Sequence, residues 1–264
     1  MARPQELLDI AVAAAQRAGA VITSGLRSGV RSINTKSTAT DLVTEMDHAS
    51  EHTIVSTILA ARPDDSIVAE EGARHEGFSD VTWVIDPIDG TTNYVYEHPG
   101  FAISIAAQRG RRTIAGVVSD PLHGDLYTAT AGGGAFRNGL GVVVSGEEQL
   151  STALVATGFS YLADRRREQA QVLSKLISEV RDIRRMGAAS LDLCSVASGR
   201  VDAYYESGLS PWDFAAGILI ATEAGAAVGD LSGGVPSADF VLASSPGIFD
   251  ELRRLLLRSG AAGV

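Results

Sequence analysis

The sequence predicts an α+β chain in two parts, and three observations predict it. Apolar residues recur at helical spacing over residues 4–26 and again over 45–61. Three consecutive strand patterns follow at 101–108, 113–119 and 125–131. From about residue 150 onward strand and helix patterns alternate, which argues for a layered α/β unit. The expected division is 1–145, an N-terminal α+β lobe with an antiparallel-rich sheet and most of the acidic residues of interest, and 146–264, a C-terminal α/β lobe that completes the site.

The first helix opens at Pro4, which suits a helix start, and carries Leu7, Leu8, Ala11, Ala14, Ala15, Ala18, Val21 and Ile22 on one face. Lys36 to Asp47 has a polar front half and a helix-like continuation into the second helix. Residues 65–69 read as a short strand running into Glu70-Glu71-Gly72. Val81 to Ile85 reads as another, ending at Asp86 because Pro87 has no N–H for a sheet ladder. Gly110 and residues 121–124 mark the turns of the three-strand run. Gly132-Gly133-Gly134 is followed by a strand and turn rather than a helix, which argues against a nucleotide loop. In the second part strands are expected at 153–157, 182–186, 201–206 and 240–243, and helices at 165–181, 190–199, 211–224 and 246–258.

The net charge of −10 has the wrong sign for a nucleic-acid surface, so no direct nucleic-acid partner is expected. Arg165-Arg166-Arg167 reads as the solvated start of a helix, and a second basic cluster spans 181–185. No unbroken apolar stretch reaches the roughly 20 residues of a membrane helix, and the acidic N-terminus is unlike a signal peptide. Cys194 is the single cysteine, set beside Leu193 and Val196 in a buried helix pattern. No intrachain disulfide is possible, and a reducing cytoplasm is the default expectation. The five histidines lack the spacing of a zinc protease.

The chemistry concentrates in Asp86-Pro87-Ile88-Asp89-Gly90-Thr91-Thr92-Asn93. Two carboxylates and the Ile88 carbonyl cluster at a strand end, followed by a turn whose amides open a short helix. Hard cations want such oxygens and phosphate wants such amides, although Asp-Pro and Asp-Gly are also ordinary turn residues. Other acidic residues in similar settings strengthen the reading. Glu70-Glu71 stands at a second strand end. Asp213 falls in the first turn of a helix opened by Pro211, where the dipole favours its ionised form. Asp47 is placed to orient a hydroxyl, or else is an exposed helix residue.

These motifs, in order and spacing, resemble the inositol monophosphatase family, on its bacterial and especially actinobacterial side. Further likeness runs through Arg184-Arg185-Met186-Gly187-Ala188-Ala189-Ser190-Leu191-Asp192-Leu193, Val201 to Glu206, and Trp212-Asp213-Phe214-Ala215-Ala216-Gly217, and thins beyond about Gly229. The resemblance implies the layered α-β-α-β-α sandwich of sugar phosphatases and a magnesium-dependent, lithium-sensitive hydrolase, cytoplasmic and homodimeric, acting on a small phosphorylated polyol, first of all myo-inositol monophosphate. It assigns Glu70, Asp86 and the Ile88 carbonyl to one Mg2+, Asp86, Asp89 and Asp213 to a second, and a third, weaker ion to the vicinity of Glu70. Glu70, or Thr91 backed by Asp47, would activate the attacking water. Ile88, Asp89, Gly90, Thr91 and Asp213 would meet the substrate, with the Gly90 and Thr91 amides on its phosphate. Arg184, Gly187, Ala188, Ala189 and Glu206 would line the polyol side. Ala188 stands where many relatives carry Ser or Thr, so histidinol phosphate, fructose 1,6-bisphosphate or a nucleotide 3′-phosphate stay open as substrates. A role as a transcription-machinery partner also stays open, because some bacterial relatives have one.

Overall fold

The computed structural model describes residues 2–28 and 32–263. Helix α1 (Pro4–Ser28) is followed by a hairpin of β1 (Ile33–Thr35) and β2 (Leu42–Thr44), then α2 (Glu45–Ala61), β3 (Ser66–Ala69), β4 (Arg74–His75) and β5 (Val81–Asp89). The short α3 (Thr91–Val95) leads to β6 (Ala102–Arg109), β7 (Arg112–Asp120), β8 (Asp125–Thr130), β9 (Gly134–Arg137) and β10 (Leu140–Gly141). The second half holds β11 (Leu154–Thr157), α4 (Ala163–Leu176), β12 (Asp182–Arg184), α5 (Ala189–Ala197), β13 (Ala203–Glu206), α6 (Pro211–Glu223), β14 (Ala227–Gly229), β15 (Val241–Ser244) and α7 (Pro246–Ser259).

Two large sheets result, one of eight strands in the order β10-β9-β8-β7-β6-β5-β3-β4 and one of five in the order β12-β11-β13-β15-β14. Strand alternation decides what covers each face. Trp83, Ile85, Ile103, Ile105 and Val117 point to the face covered by α1 and α2, where they meet Leu7, Ala11, Ile54 and Ile58. Val84, Ala106 and Val118 point the other way, onto Ala215, Ala216, Leu219 and Ile220 of α6 and Cys194 of α5. The opposite side of α5 and α6 packs Leu193, Val196 and Phe214 on Ala156, Tyr204 and Ala243 of the second sheet. That sheet's outer face carries Val155, Tyr205 and Leu242 against Val172 of α4 and Leu252 and Leu256 of α7. The layers therefore run α-β-α-β-α, as expected. The inner helices sit close to the first sheet because small residues face each other: a Cβ on Gly116 of β7 would lie 3.2 Å from the Ala216 Cα.

Several expectations need correction. Strand β5 does not stop at Asp86. It continues through Pro87 to Asp89, pairing Asp86 with Ser104 and Asp89 with Ala102, so two residues of β5 stand against one of β6. Proline is tolerated at such a bulge because the extra residue makes no ladder bond. The front half of Lys36–Asp47 is a hairpin loop, whose return strand β2 ends at Thr44, the N-cap of α2. Helix α4 ends at Leu176, five residues earlier than expected, because Arg181 must already donate its N–H to the Ala153 carbonyl beside β12. Among the described helices α1 is long and apolar enough by length and composition to cross a membrane, and its alanine-rich face is seated on the first sheet.

Candidate active site

The β5 bulge decides the geometry of the site. In a regular strand two residues three apart face opposite sides of the sheet. The extra residue brings Asp86 and Asp89 to the same side, and both line one cleft of about 430 Å³. Asp86 accepts the Ile88 N–H at 3.0 Å, which folds the bulge around its carboxylate. Ser50 of α2 holds the bulge from behind through the Pro87 carbonyl at 2.9 Å. Gly90 then turns the chain with φ 89°, and no other residue fits: a Cβ there would meet the Gly100 carbonyl oxygen at 2.8 Å.

The same cleft receives Glu70 from the end of β3, Ile88 of β5, and Asp213 from α6. The Glu70 N–H extends the β3–β5 ladder by donating to the Ile85 carbonyl at 3.1 Å. Asp213 is fixed by the capping box of α6, accepting the Ser210 N–H at 2.7 Å, in the first-turn position that the sequence indicates. Asp89 accepts the Ser190 N–H at 2.7 Å, so it faces the first turn of α5 across the two halves of the chain. Asn93 ties the halves together by donating to Gly100 and Met186 carbonyls at 2.7 and 2.8 Å.

Asp47 is fully buried rather than exposed. One oxygen accepts the Thr44 N–H and hydroxyl at 2.8 and 2.6 Å, and the other accepts the Thr91 hydroxyl at 3.0 Å. The Thr91 hydroxyl oxygen also lies 3.0 Å from the Ile88 carbonyl oxygen, so its proton has two acceptors and the oxygen keeps lone pairs to accept with. Burial pushes the Asp47 carboxyl above its ordinary value, against the hydrogen bonds from Thr44 and Thr91.

Electrostatically the cleft asks for a cation. Burial first, then the charges of Glu70, Asp89 and Asp213, push the Asp86 carboxyl well above the ordinary carboxylate range. Asp213 is pushed the same way by burial and then by Asp89 and Glu70. Lys36 answers part of this demand. Its ammonium donates to Glu70 at 2.9 Å and to Glu71. Burial works against that ammonium, but the two glutamates outweigh it and hold it above its usual value. As they stand, no three or more His, Cys, Asp or Glu side chains among the described residues are arranged to hold an ion. The donor set is nevertheless all oxygen, mutually repelling and mostly buried, which fits a hard divalent cation. Such an ion would draw Glu70 off Lys36.

On the far wall Glu206 ends β13. Its carboxylate accepts the Tyr204 hydroxyl at 2.6 Å and lies directly over Gly158, which has no side chain to obstruct it. Burial raises its pKa to about 7, against the Tyr204 hydroxyl and Arg185. Gly187 and Ala189 line the cleft as expected. Arg184 does not: it turns outward, bonded to Asp182 and the Ile183 carbonyl, and its neighbour Arg185 lines the cleft instead. Adjacent residues of an extended segment face opposite ways, so one residue's offset reverses the assignment. Ala188 is buried beneath the lining, against Gly90, rather than in it. Arg165, expected to be solvated, also lines the cleft, whereas Arg166 and Arg167 are exposed. Sequence reasoning missed Arg185, Arg165 and the Ser190 amide; a helix start at Ala189 was the available signal for the last.

The chain is similar in sequence and fold to several known proteins. An inositol-1-monophosphatase of Mycobacterium leprae is 44% identical over 88% of this chain and 83% of its own. The Nus factor SuhB of Pasteurella multocida is 42% identical over 93% of this chain and 94% of its own. The crystal structure of extragenic suppressor protein suhB from Bartonella henselae superposes with a TM-score of 0.88 at 35% identity, covering 95% of this chain and 98% of that one. The model of the inositol monophosphatase family matches residues 3–259. With the fold, the strand-end carboxylates and this match agreeing over nearly its whole length, the chain belongs to the inositol monophosphatase family.

Proposed function

We propose that this chain hydrolyses a polyol phosphate monoester, first of all myo-inositol monophosphate to myo-inositol and phosphate, in a magnesium-dependent and lithium-sensitive reaction. The observation that carries the reading is the convergence of Glu70, Asp86, Ile88, Asp89 and Asp213 on one cleft beside the Thr91–Asp47 pair. Glu70, Asp86 and Ile88 would hold one Mg2+, Asp86, Asp89 and Asp213 a second, and Glu70 a weaker third. Bound there, the ions would supply acidification of water and neutralisation of the leaving oxygen. The protein's own groups do the rest. Thr91, its proton committed to Asp47, accepts a hydrogen bond from the attacking water, and Asp47 receives the proton; Glu70 is the alternative base. The Gly90 and Thr91 amides meet the phosphate. Glu206, Gly187 and Ala189 orient the polyol. The division at about residue 145 into two lobes, a homodimeric assembly and a cytoplasmic location complete the reading.

The test is phosphate release from a panel of monoesters with magnesium, with chelator and with lithium. Release from inositol phosphate that magnesium restores after chelation is expected; no release from any monoester would overturn the reading. A second reading, as a partner of the transcription machinery, is favoured by the relative described as Nus factor SuhB. Recovery of RNA polymerase on the immobilised chain supports it, and its absence from the eluate counts against it.

A further inference from the structure

Helix α2 turns a polar face toward the site. Asp47, Ser50 and Glu51 stand at i, i+3 and i+4 on one side of the helix, and all of them are buried. Ile54 and Ile58 continue that side into the hydrophobic core. Buried polar groups cost stability unless each finds a partner, and each finds it in a different segment of the cleft wall. Asp47 accepts the Thr91 hydroxyl, and Ser50 donates to the Pro87 carbonyl. Glu51 takes the remaining segment, the turn after β3. One of its oxygens accepts the Glu71 N–H at 2.8 Å, the other the Ala73 N–H at 3.1 Å.

The other amides of that turn are satisfied by backbone: Ala69 donates to the Ala73 carbonyl, Glu70 to Ile85 and Gly72 to Ala69. The Glu51 carboxylate therefore completes the amide hydrogen bonding of residues 69–73. It grips the chain on both sides of Gly72, whose φ of 104° reverses its direction. From the cleft side Lys36 holds the Glu70 and Glu71 carboxylates; from behind, Glu51 holds the main chain that carries them. The two holds differ in one respect. A cation that took Glu70 would have to displace Lys36, but it would leave Glu51 untouched. Burial pushes the Glu51 carboxyl above its ordinary value against the two amides, and the charge of Glu70 adds to that push. An anion retained there is the kind of local cost that proteins carry at functional sites.

We propose that Glu51 is a positioning residue for the cation: it fixes the turn on which Glu70 stands, so that Glu70 keeps its strand-end place when a cation replaces Lys36 as its partner. The inference rests on the metal-dependent reading of the cleft, but its test is binding rather than turnover. Magnesium would be titrated calorimetrically into chelator-stripped wild type, Glu51→Gln and Ile58→Val, and amide hydrogen exchange over 69–73 followed by NMR in the metal-free proteins. In Glu51→Gln one oxygen still accepts, but the NH2 meets the second backbone N–H, so one of the two bonds is lost. Its magnesium affinity should fall at least about tenfold, and the Glu71 and Ala73 amides should exchange faster. Ile58→Val, further along the same face, should lower the melt and leave both readouts at wild-type values. Unchanged affinity in Glu51→Gln, weaker affinity without faster exchange, or an equal loss in Ile58→Val would overturn the proposal. If Glu51→Gln fails to fold, wild-type exchange decides: protected Glu71 and Ala73 amides support the hold, and free exchange at both overturns it. A wild type that binds no magnesium would overturn this proposal and the cation reading together. Magnesium binding that depends on Glu51 without phosphate release would sustain the proposal and overturn only the catalytic reading.

Discussion

Asp47→Asn separates the proton path from the fold. The carboxylate accepts three protons, two from Thr44 on one oxygen and one from Thr91 on the other. Asparagine has the same shape, and its single carbonyl oxygen can keep both Thr44 contacts. Its NH2 must then face Thr91 and donate where the carboxylate accepted. The Thr91 hydroxyl would lose its route for passing a proton inward, retaining only the Ile88 carbonyl at 3.0 Å. A positioned general base contributes about 10²–10⁴-fold, which is about 3–5 kcal/mol of barrier. Stability should move by no more than about 1 kcal/mol, because the helix cap survives and a carboxylate held above its ordinary range by burial is removed. The assay is the initial rate of phosphate release at saturating magnesium, with a thermal melt of the same preparation. A loss of at least about a hundredfold in kcat with an unchanged melt is expected. A variant within about threefold of the wild type in kcat would refute the Thr91–Asp47 path and leave Glu70 as the base.

Asp89→Asn should nearly abolish phosphate release while the chain stays folded, since it removes ligand charge from a shared site; wild-type turnover at saturating magnesium would remove Asp89 from the ligand set. Glu206→Gln should cost inositol phosphate about 1.5–3 kcal/mol in kcat/KM more than an aryl phosphate without hydroxyls; equal losses on both would place Glu206 in the fold rather than in recognition. Metal-free protein should become less stable as pH rises. Glu71 and Glu206 are raised by burial from 4.5 to about 7, so the folded chain binds these protons more tightly than the unfolded one. That stabilisation is full below 4.5 and is lost as pH rises through about 7, at about 3 kcal/mol for each group. Melts in chelator between pH 5 and 8 should fall accordingly, and a flat or rising series would contradict the burial of these carboxyls.

The candidate ligands were legible in the sequence because they are local. Asp86, Ile88 and Asp89 come within one run, and Glu70 and Asp213 each end a strand or open a helix in a recognisable way. The helical pattern of α1 and the three antiparallel strands were legible for the same reason, since alternation and 3.6-residue spacing are read within one segment. What failed was non-local. Nothing within Val81–Asp89 says that β6 will continue pairing beyond Pro87. The residues around Asp47 leave it either orienting a hydroxyl or exposed; its pairing with Thr91, 44 residues later, is legible only through the resemblance, and the structure shows that contact. Arg184 and Arg185 are chemically identical neighbours, and only the packing of the extended segment before α5 decides which faces inward.

The close seat of α6 on β7 bears on how the site can change. Asp213 rides on the first turn of a helix whose backbone approaches Gly116 with no side chain between them. Any bulk added at Gly116 must lift the helix, and with it one carboxylate relative to the three supplied by the first sheet. On the proposed reading, cation affinity would be adjustable from a position outside the cleft lining. A graded series at residue 116 would shift any cation requirement in steps of side-chain volume, giving selection or design a mechanical means of retuning the site without editing any of its candidate ligands.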